Sequence, residues 1–323
     1  IIFLLSFILS RLETKNFFID IFGQLSFQIL LGGTLLLIIL IFIKKFWASV
    51  ICTLNCILLA VDILPTCKQC NALLIDETQN YNRIRLMTFN TSYSIDNRLP
   101  KWFRYLEILL IKNKNSQLNN IKDLEDLQEL ILIENPDIIQ FQEVTPQINE
   151  KLKFLESIFP YSIEINKFIG ISNNIILSKY PIKKNENNDN NTVLTKIIIG
   201  KTELNLLSVH LYSGLNQDRF NLGDQQMRII KNLIQDIDKN IILMGDLNMT
   251  PVSKRFISFL EETNLYTYTS LLHPTFTWPT YLPRYLGIQI DHVLFSENFK
   301  MIKKKTTNYL GSDHRPLVVD LIF

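Results

Sequence analysis

The chain has 323 residues, a formal net charge of +2 and 47% apolar residues, and the apolar content is gathered towards its beginning. A charge so near neutrality makes no case for nucleic acid as a partner and excludes none. Of the four cysteines, Cys67 and Cys70 form a C-x-x-C pair without the two further nearby ligands that zinc requires, which leaves a local disulfide or two plain thiols.

The chain opens on "IIFLLSFILS", too short to cross a bilayer, and because residue 1 is not methionine this run reads as the tail of a truncated first span. Residues 27–43 and 46–64 follow as two predicted transmembrane helices; no charge interrupts Phe27–Ile43 or Phe46–Val61. A signal peptide does not account for two further apolar stretches, and a buried hairpin of a soluble domain conflicts with the lack of a polar face. Lys44 and Lys45 link the spans, and positive short loops stay in the cytoplasm, so everything after the second span is expected outside it.

Residues 65–82 read as a tether, and a domain of alternating short apolar runs and amphipathic stretches begins near Arg83. Strands are predicted at "IRLMTFN", "DIIQFQE", "NNIILSKY", "VLTKIIIG", "ELNLLSVH", "NIILMGDLN", "IDHVLFS" and "RPLVVDLIF". Helices are predicted over 103–112, 121–134, 146–158, 225–237 and 252–262, with a polar loop in "KKNENNDNNT". Such alternation suits an α/β or α+β domain whose sheets are covered by helices.

A polar residue stands where several apolar runs end: Asn90, Glu143, His210, then Asp246 and Asn248. Each alone is an ordinary turn former or surface group, but together they fit strand ends converging on one cleft. In "GDLN", residues two apart in a strand face one side, so Asp246 and Asn248 present a carboxylate and an amide to one point, and Gly245 permits close approach. Two Asp-His pairs follow. Asp291 can orient His314 as a general base if their strands are neighbours, while His292 should face away and be structural. Asn90 and Glu143, with Asp313, would give a cation oxygen ligands, the signature of Mg²⁺ or Mn²⁺ rather than zinc.

In order, "MTFN", "FQEV", "SVHL", "GDLN", "IDHVL" and "SDHRPL" resemble the motifs of the endonuclease/exonuclease/phosphatase superfamily, over Arg83 to the C-terminus. The apolar N-terminal region together with "PTFTWP" is similar to its membrane-anchored, YafD-like bacterial subgroup. The resemblance implies a four-layer α/β/β/α sandwich and Mg²⁺-dependent hydrolysis of a phosphate ester, carried by a nucleic acid or a lipid head group, in a protein of the bacterial inner membrane. It implies that Glu143 is the principal Mg²⁺ ligand with Asn90 beside it, that His210 binds the scissile phosphate, and that Asp246 and Asn248 position the water and stabilise the transition state. It makes Asp291 and His314 a dyad, with Asp313 an added acid on the metal side. His314 is taken as the base and Asp246 as the alternative. Ser92 stands where several nuclease members carry an acid, and Lys112–Asn120 lengthens a connection. A non-catalytic binding module would need a broken site, and every motif residue is present. Trp278 is assigned to core packing.

Overall fold

The computed structural model describes residues 8–9, 12, 15–63, 81–91, 121–165, 173–184, 192–237, 239–269, 275–307 and 311–323. The predicted helix at 103–112, Cys67, Cys70, Ser92, residues 112–120, most of the tether and most of the Asn-rich loop lie outside them.

Among the described residues, the helices α1 (Phe17–Gln24), α2 (Ser26–Phe42) and α3 (Phe46–Ile63) precede the domain. The domain follows in the order β1 (Arg83–Asn90), α4 (Ile121–Glu134), β2 (Ile138–Val144), α5 (Pro146–Leu152), β3 (Tyr161–Ile165), β4 (Asn173–Ser178), β5 (Ile182–Lys184), β6 (Thr192–Ile199) and β7 (Thr202–His210). It continues with α6 (Gln217–Gln235), β8 (Ile241–Asp246), α7 (Lys254–Thr263), β9 (Asp291–Phe295), β10 (Lys300–Thr306) and β11 (Leu317–Ile322). One sheet has six strands in the order β10-β11-β1-β2-β4-β3, the other five in the order β5-β6-β7-β8-β9.

The pleat sorts side chains into layers. In β1, Ile84 and Leu86, with Val319 of the neighbouring β11, face Ile242 and Met244 of the opposing sheet, while Met87 and Phe89 face outward onto Leu127 and Ile131 of α4. The five-stranded sheet repeats this: Leu204 and Leu206 face in, and Leu207 and Val209 face out towards Met227 and Ile230 of α6 and Phe256 of α7. Period-2 alternation with both faces apolar thus gives four layers, helix, sheet, sheet, helix.

Within the sheets β1 and β2 are parallel, as are β7 and β8, and the remaining neighbours are antiparallel. The C-terminal ends of both parallel pairs, and the starts of β9 and β11, therefore share one end of the sandwich.

Three strands escaped the periodicity. β10 is the instructive one: its sequence "KMIKKKT" is that of a charged edge strand, which carries lysines where further pairing must be discouraged. Helix α6 starts eight residues earlier than expected, because Asn216 caps it through Oδ1 to the amide of Arg219 at 3.0 Å and its first two turns carry only Phe220 and Leu222 as large apolar residues.

Helices α2 and α3 occupy the stretches predicted to cross a membrane. Among the described residues no single helix is long and apolar enough to do so; α1 and α2 pass together, bent by 62° at their junction. Helix α2 has 17 residues, about 25 Å at the standard rise against a hydrocarbon core of about 30 Å. It ends because Lys44 takes a left-handed φ of 55° to begin the turn into α3. Both helices leave large apolar side chains exposed, among them Leu35, Ile38, Trp47 and Leu54.

Gly245 shows how tightly the site end of β8 is built. Its φ is +140°, and a Cβ there would sit 1.8 Å from the carbonyl oxygen of Val209 on β7. Gly245→Ala is expected to cost at least about 2 kcal/mol through strain and clash, read as a lowered urea midpoint at unchanged m-value.

Candidate active site

The inward phase that builds the inter-sheet core runs on, at the shared end, into polar residues. Asn90 continues Ile84 and Leu86 in β1, His210 continues Leu204 and Leu206 in β7, and Asp246 continues Ile242 and Met244 in β8. Asp291, at the start of β9, shares the phase of Val293. Glu143 is the exception. Alternation from Phe141 would turn it outward, but the pairing with β4 shifts between Phe141 and Val144, and Glu143 itself takes φ 55°. This bulge aims its carboxylate into the cleft at a cost of order 1–3 kcal/mol in backbone strain.

Asp246 lies at the centre. Its Oδ2 accepts from Asn90 Nδ2 at 3.1 Å and stands 3.8 Å from His210 Nε2 and 3.8 Å from His314 Nε2, while its Oδ1 accepts from the Asn248 amide at 2.8 Å. Asn90 Nδ2 is also 3.4 Å from Glu143 Oε1, which stands 3.5 Å from His210 Nε2. Asn248, with φ 49°, turns its amide to donate to the Leu211 carbonyl at 2.9 Å.

His314 Nδ1 donates to Asp291 Oδ2 at 2.8 Å, which fixes the ring and aims Nε2 at Asp246. The loop that carries it is itself fastened: Ser312 Oγ donates to the Asn90 carbonyl at 2.7 Å and accepts from the His314 amide at 3.0 Å. Thr277 Oγ1 accepts the amides of Ile290 and Asp291 at 3.1 and 3.2 Å, holding the other half of the pair.

Electrostatics follow from placing three carboxylates and two imidazoles at the end of an apolar core. Burial pushes Asp246 up to about 8, with Asp291 adding to the rise and His314 opposing it. Burial alone would pull His314 down, but Asp291, bonded to it, together with Asp313 and Asp246, holds it up at about 10.

The donors suit a hard divalent cation. Glu143, Asn90 and Asp313 offer oxygen only, and Asp313 Oδ1 is buried without a hydrogen-bond partner. Asp246, Asp291 and His314 also form a buried cluster with ligand atoms within 4.8 Å of one another. The Asp291–His314 bond takes Asp291 Oδ2 and His314 Nδ1 and leaves Asp291 Oδ1 and His314 Nε2, so this cluster keeps donors of its own, but its ring nitrogen suits a hard cation less well than the oxygen set does.

The model of the Endonuclease/Exonuclease/phosphatase family matches residues 87–314, a span that holds Asn90, Glu143, His210, Asp246, Asn248, Asp291, Asp313 and His314. The chain belongs to this family. No curated protein sequence matches it. Among solved structures, sphingomyelinase C from Streptomyces griseocarneus is similar, with TM-score 0.52 and 15% identity over 74% of this chain and 99% of that one. So are beta toxin from Staphylococcus aureus with bound magnesium ions, with TM-score 0.51 and 18% identity over 74% and 99%, and the 3′ phosphatase NExo from Neisseria bound to product DNA hairpin, with TM-score 0.51 and 15% identity over 73% and 98%. Identity this low shows a common fold.

Sequence reasoning missed several side chains that hold this endonuclease/exonuclease/phosphatase site together. Trp278, assigned to core packing, donates its indole N–H to Asp313 Oδ2 at 2.9 Å. His292 faces away from Asp291, against Phe256 with ring centroids 4.5 Å apart, and it is not idle. Lys304 Nζ donates to Gln289 Oε1 at 3.0 Å, so Gln289 presents its Nε2 to His292 Nδ1 at 3.2 Å, and the remaining His292 N–H donates to the Met249 carbonyl at 2.8 Å. Thr275 Oγ1 donates to the same Gln289 Oε1 at 2.8 Å, so Gln289 is held with its Nε2 towards His292 and the later polarities follow. Burial lowers Lys304 to about 7, and burial with the Lys304 charge lowers His292 to about 3, so this ring stays neutral.

The brace ties the start of β9 to the loop after Asn248. No spacing rule could have found it, because Lys304 lies in a strand that reads as a charged edge. Lys304→Met removes a buried charge in favour of an apolar group of similar length. It is expected to change stability by less than about 1.5 kcal/mol while lowering turnover of bis-nitrophenyl phosphate about tenfold or more, read by urea unfolding and steady-state kinetics.

Proposed function

We propose that the chain is a membrane-anchored phosphodiesterase that uses Mg²⁺ or Mn²⁺, with nucleic-acid esters as its first substrate class. The observation that carries the chemistry is the central position of Asp246, one carboxylate within 4 Å of Asn90 and both histidines. A family of phosphate-ester hydrolases and neighbours that include a magnesium-bound toxin support it. A cation held by Glu143, Asn90 and Asp313 would neutralise the phosphate oxygens and make phosphorus more electrophilic.

The protein's own groups divide the proton work. His314, held up by Asp291, is cationic near neutrality and suits donation from Nε2 to a phosphate or leaving-group oxygen. Asp246, raised by burial, is more basic than an ordinary carboxylate and suits acceptance of the proton of the attacking water. This favours Asp246 over His314 as the base. His210 lies on the Glu143 side of Asp246 and is placed to donate to the phosphate, and Asn248 orients the water or the transition state beside it.

Anchoring rests on the exposed apolar surface of the α2–α3 hairpin and on the lysine pair at its tip. With Lys44 and Lys45 cytoplasmic, both ends of the hairpin and the catalytic domain lie on the far side of a bacterial inner membrane. The same surface favours a second substrate reading, a phosphate ester in a lipid head group.

Full-length protein should hydrolyse bis-nitrophenyl phosphate with Mg²⁺ and lose the activity in EDTA; a folded chain inert in both conditions would sink the hydrolase reading. Its rate should rise as Asp246 loses its proton and fall as His314 loses its own, a bell whose limbs the cation shifts to lower pH. Asp246→Asn should lower turnover at least about 100-fold. His314→Gln should abolish the alkaline limb, and loss of the acid limb instead would make His314 the base.

A further inference from the structure

The N-terminal helices are fastened to the rim of the cleft itself. At the start of α6, Gln217 donates through Nε2 to the Lys15 carbonyl at 2.5 Å and accepts the Phe17 amide at 3.2 Å. At Thr250, two residues beyond Asn248, the amide donates to Gln24 Oε1 at 2.5 Å and the hydroxyl to the Gln24 carbonyl at 3.1 Å. Beside the loop that carries Trp278, Gln28 Nε2 donates to the Gly287 carbonyl at 2.6 Å and the rings of Phe27 and Phe276 lie 5.6 Å apart. All three contacts are with loops at the end of the sandwich where the site lies. The hairpin tip, Lys44 and Lys45, is about 25 Å along α2 from these contacts.

What the rim exposes there is amphipathic. Phe18 on α1 is 61% exposed and Tyr285 in the turn at Arg284–Leu286 is 71% exposed; Leu25 and Leu286 are also exposed, as are Lys15, just before α1, and Arg284, in that turn. Apolar and aromatic side chains interspersed with a few cations are the composition of a surface that lies in lipid head groups. A face built for a polyanion alone would be dominated by cations.

We propose that this rim, α1 together with the turn Arg284–Leu286, lies in the head-group layer of the bilayer crossed by the α2–α3 hairpin. The inference rests on the anchoring reading above and adds what that reading leaves open: the catalytic domain is not held away on a tether but seated with its cleft at the membrane surface. The partner is the bilayer surface, and an ester presented there reaches the cleft without leaving it.

The test uses the full chain with its four cysteines changed to Ser, in nanodiscs of phosphatidylglycerol and phosphatidylcholine. A nitroxide is attached in turn at Leu286→Cys, Leu35→Cys on the hairpin, and Glu203→Cys at the opposite end of β7. The ratio of relaxation by oxygen to relaxation by a water-soluble nickel chelate should be highest at residue 35 and lowest at 203. At 286 it should exceed the value at 203 by about threefold or more, as an interfacial position requires. A water-like ratio at 286 with a lipid-like one at 35 would overturn the proposal and leave the anchor standing. Water-like ratios at both would remove the anchor and the proposal together. Shielding of 286 from both agents would assign the rim to a second copy of the chain and overturn the proposal. None of these outcomes depends on hydrolysis, so the catalytic reading is judged separately.

Discussion

Two sheets packed on their apolar faces leave one direction in which an inward-facing side chain meets neither helix nor core, the end where both parallel strand pairs run out. Every arrangement in the site follows from that constraint. Asn90, His210, Asp246 and Asp291 simply share the inward phase of the apolar positions in their strands, at the strand ends that meet there. They are buried because the sandwich is closed around them, and burial is what raises Asp246 and lets one hydrogen bond from Asp291 govern His314.

The same burial sets what the supporting residues must do. Carboxylates at the end of an apolar core need at least one oxygen directed, and much of that direction comes from groups outside the motifs. Trp278 takes one oxygen of Asp313, the Asn248 amide takes one of Asp246, and Thr277 fixes the strand start that carries Asp291. The chain from Lys304 through Gln289 and His292 to Met249 applies this logic one layer further out. A lysine amine whose hold on its proton is weakened by burial, together with Thr275, holds one amide in one orientation there.

Much of the architecture could be read from the chain because period-2 alternation and strand-ending polar residues are local signals. Short apolar runs marked most of the strands, and "GDLN" and "SDHRPL" marked strand ends. The elements that escaped are those whose character is set by neighbours. β10 is lysine-rich because it is an edge, and α6 begins before its apolar stripe is dense because the Asn216 cap starts it. The apolar hairpin was equally plain as composition: α2, at 17 residues, is as long as the uncharged run Phe27–Ile43, and the turn at Lys44 divides it from α3.

The sequence by itself determined which residues are chemically equipped, two Asp-His pairs and an ordered set of oxygen donors, because residue type and spacing are written directly in it. Only the tertiary structure decided how they are used. Asp291 pairs with His314 and not with its neighbour His292, because adjacent strand residues face opposite sides and β9 lies beside the start of β11's loop. Glu143 joins the cleft only through a bulge, and Trp278 leaves the core for Asp313 only because a loop brings them together. Partners across 23 or 35 positions are set by sheet order and packing, which no local pattern encodes.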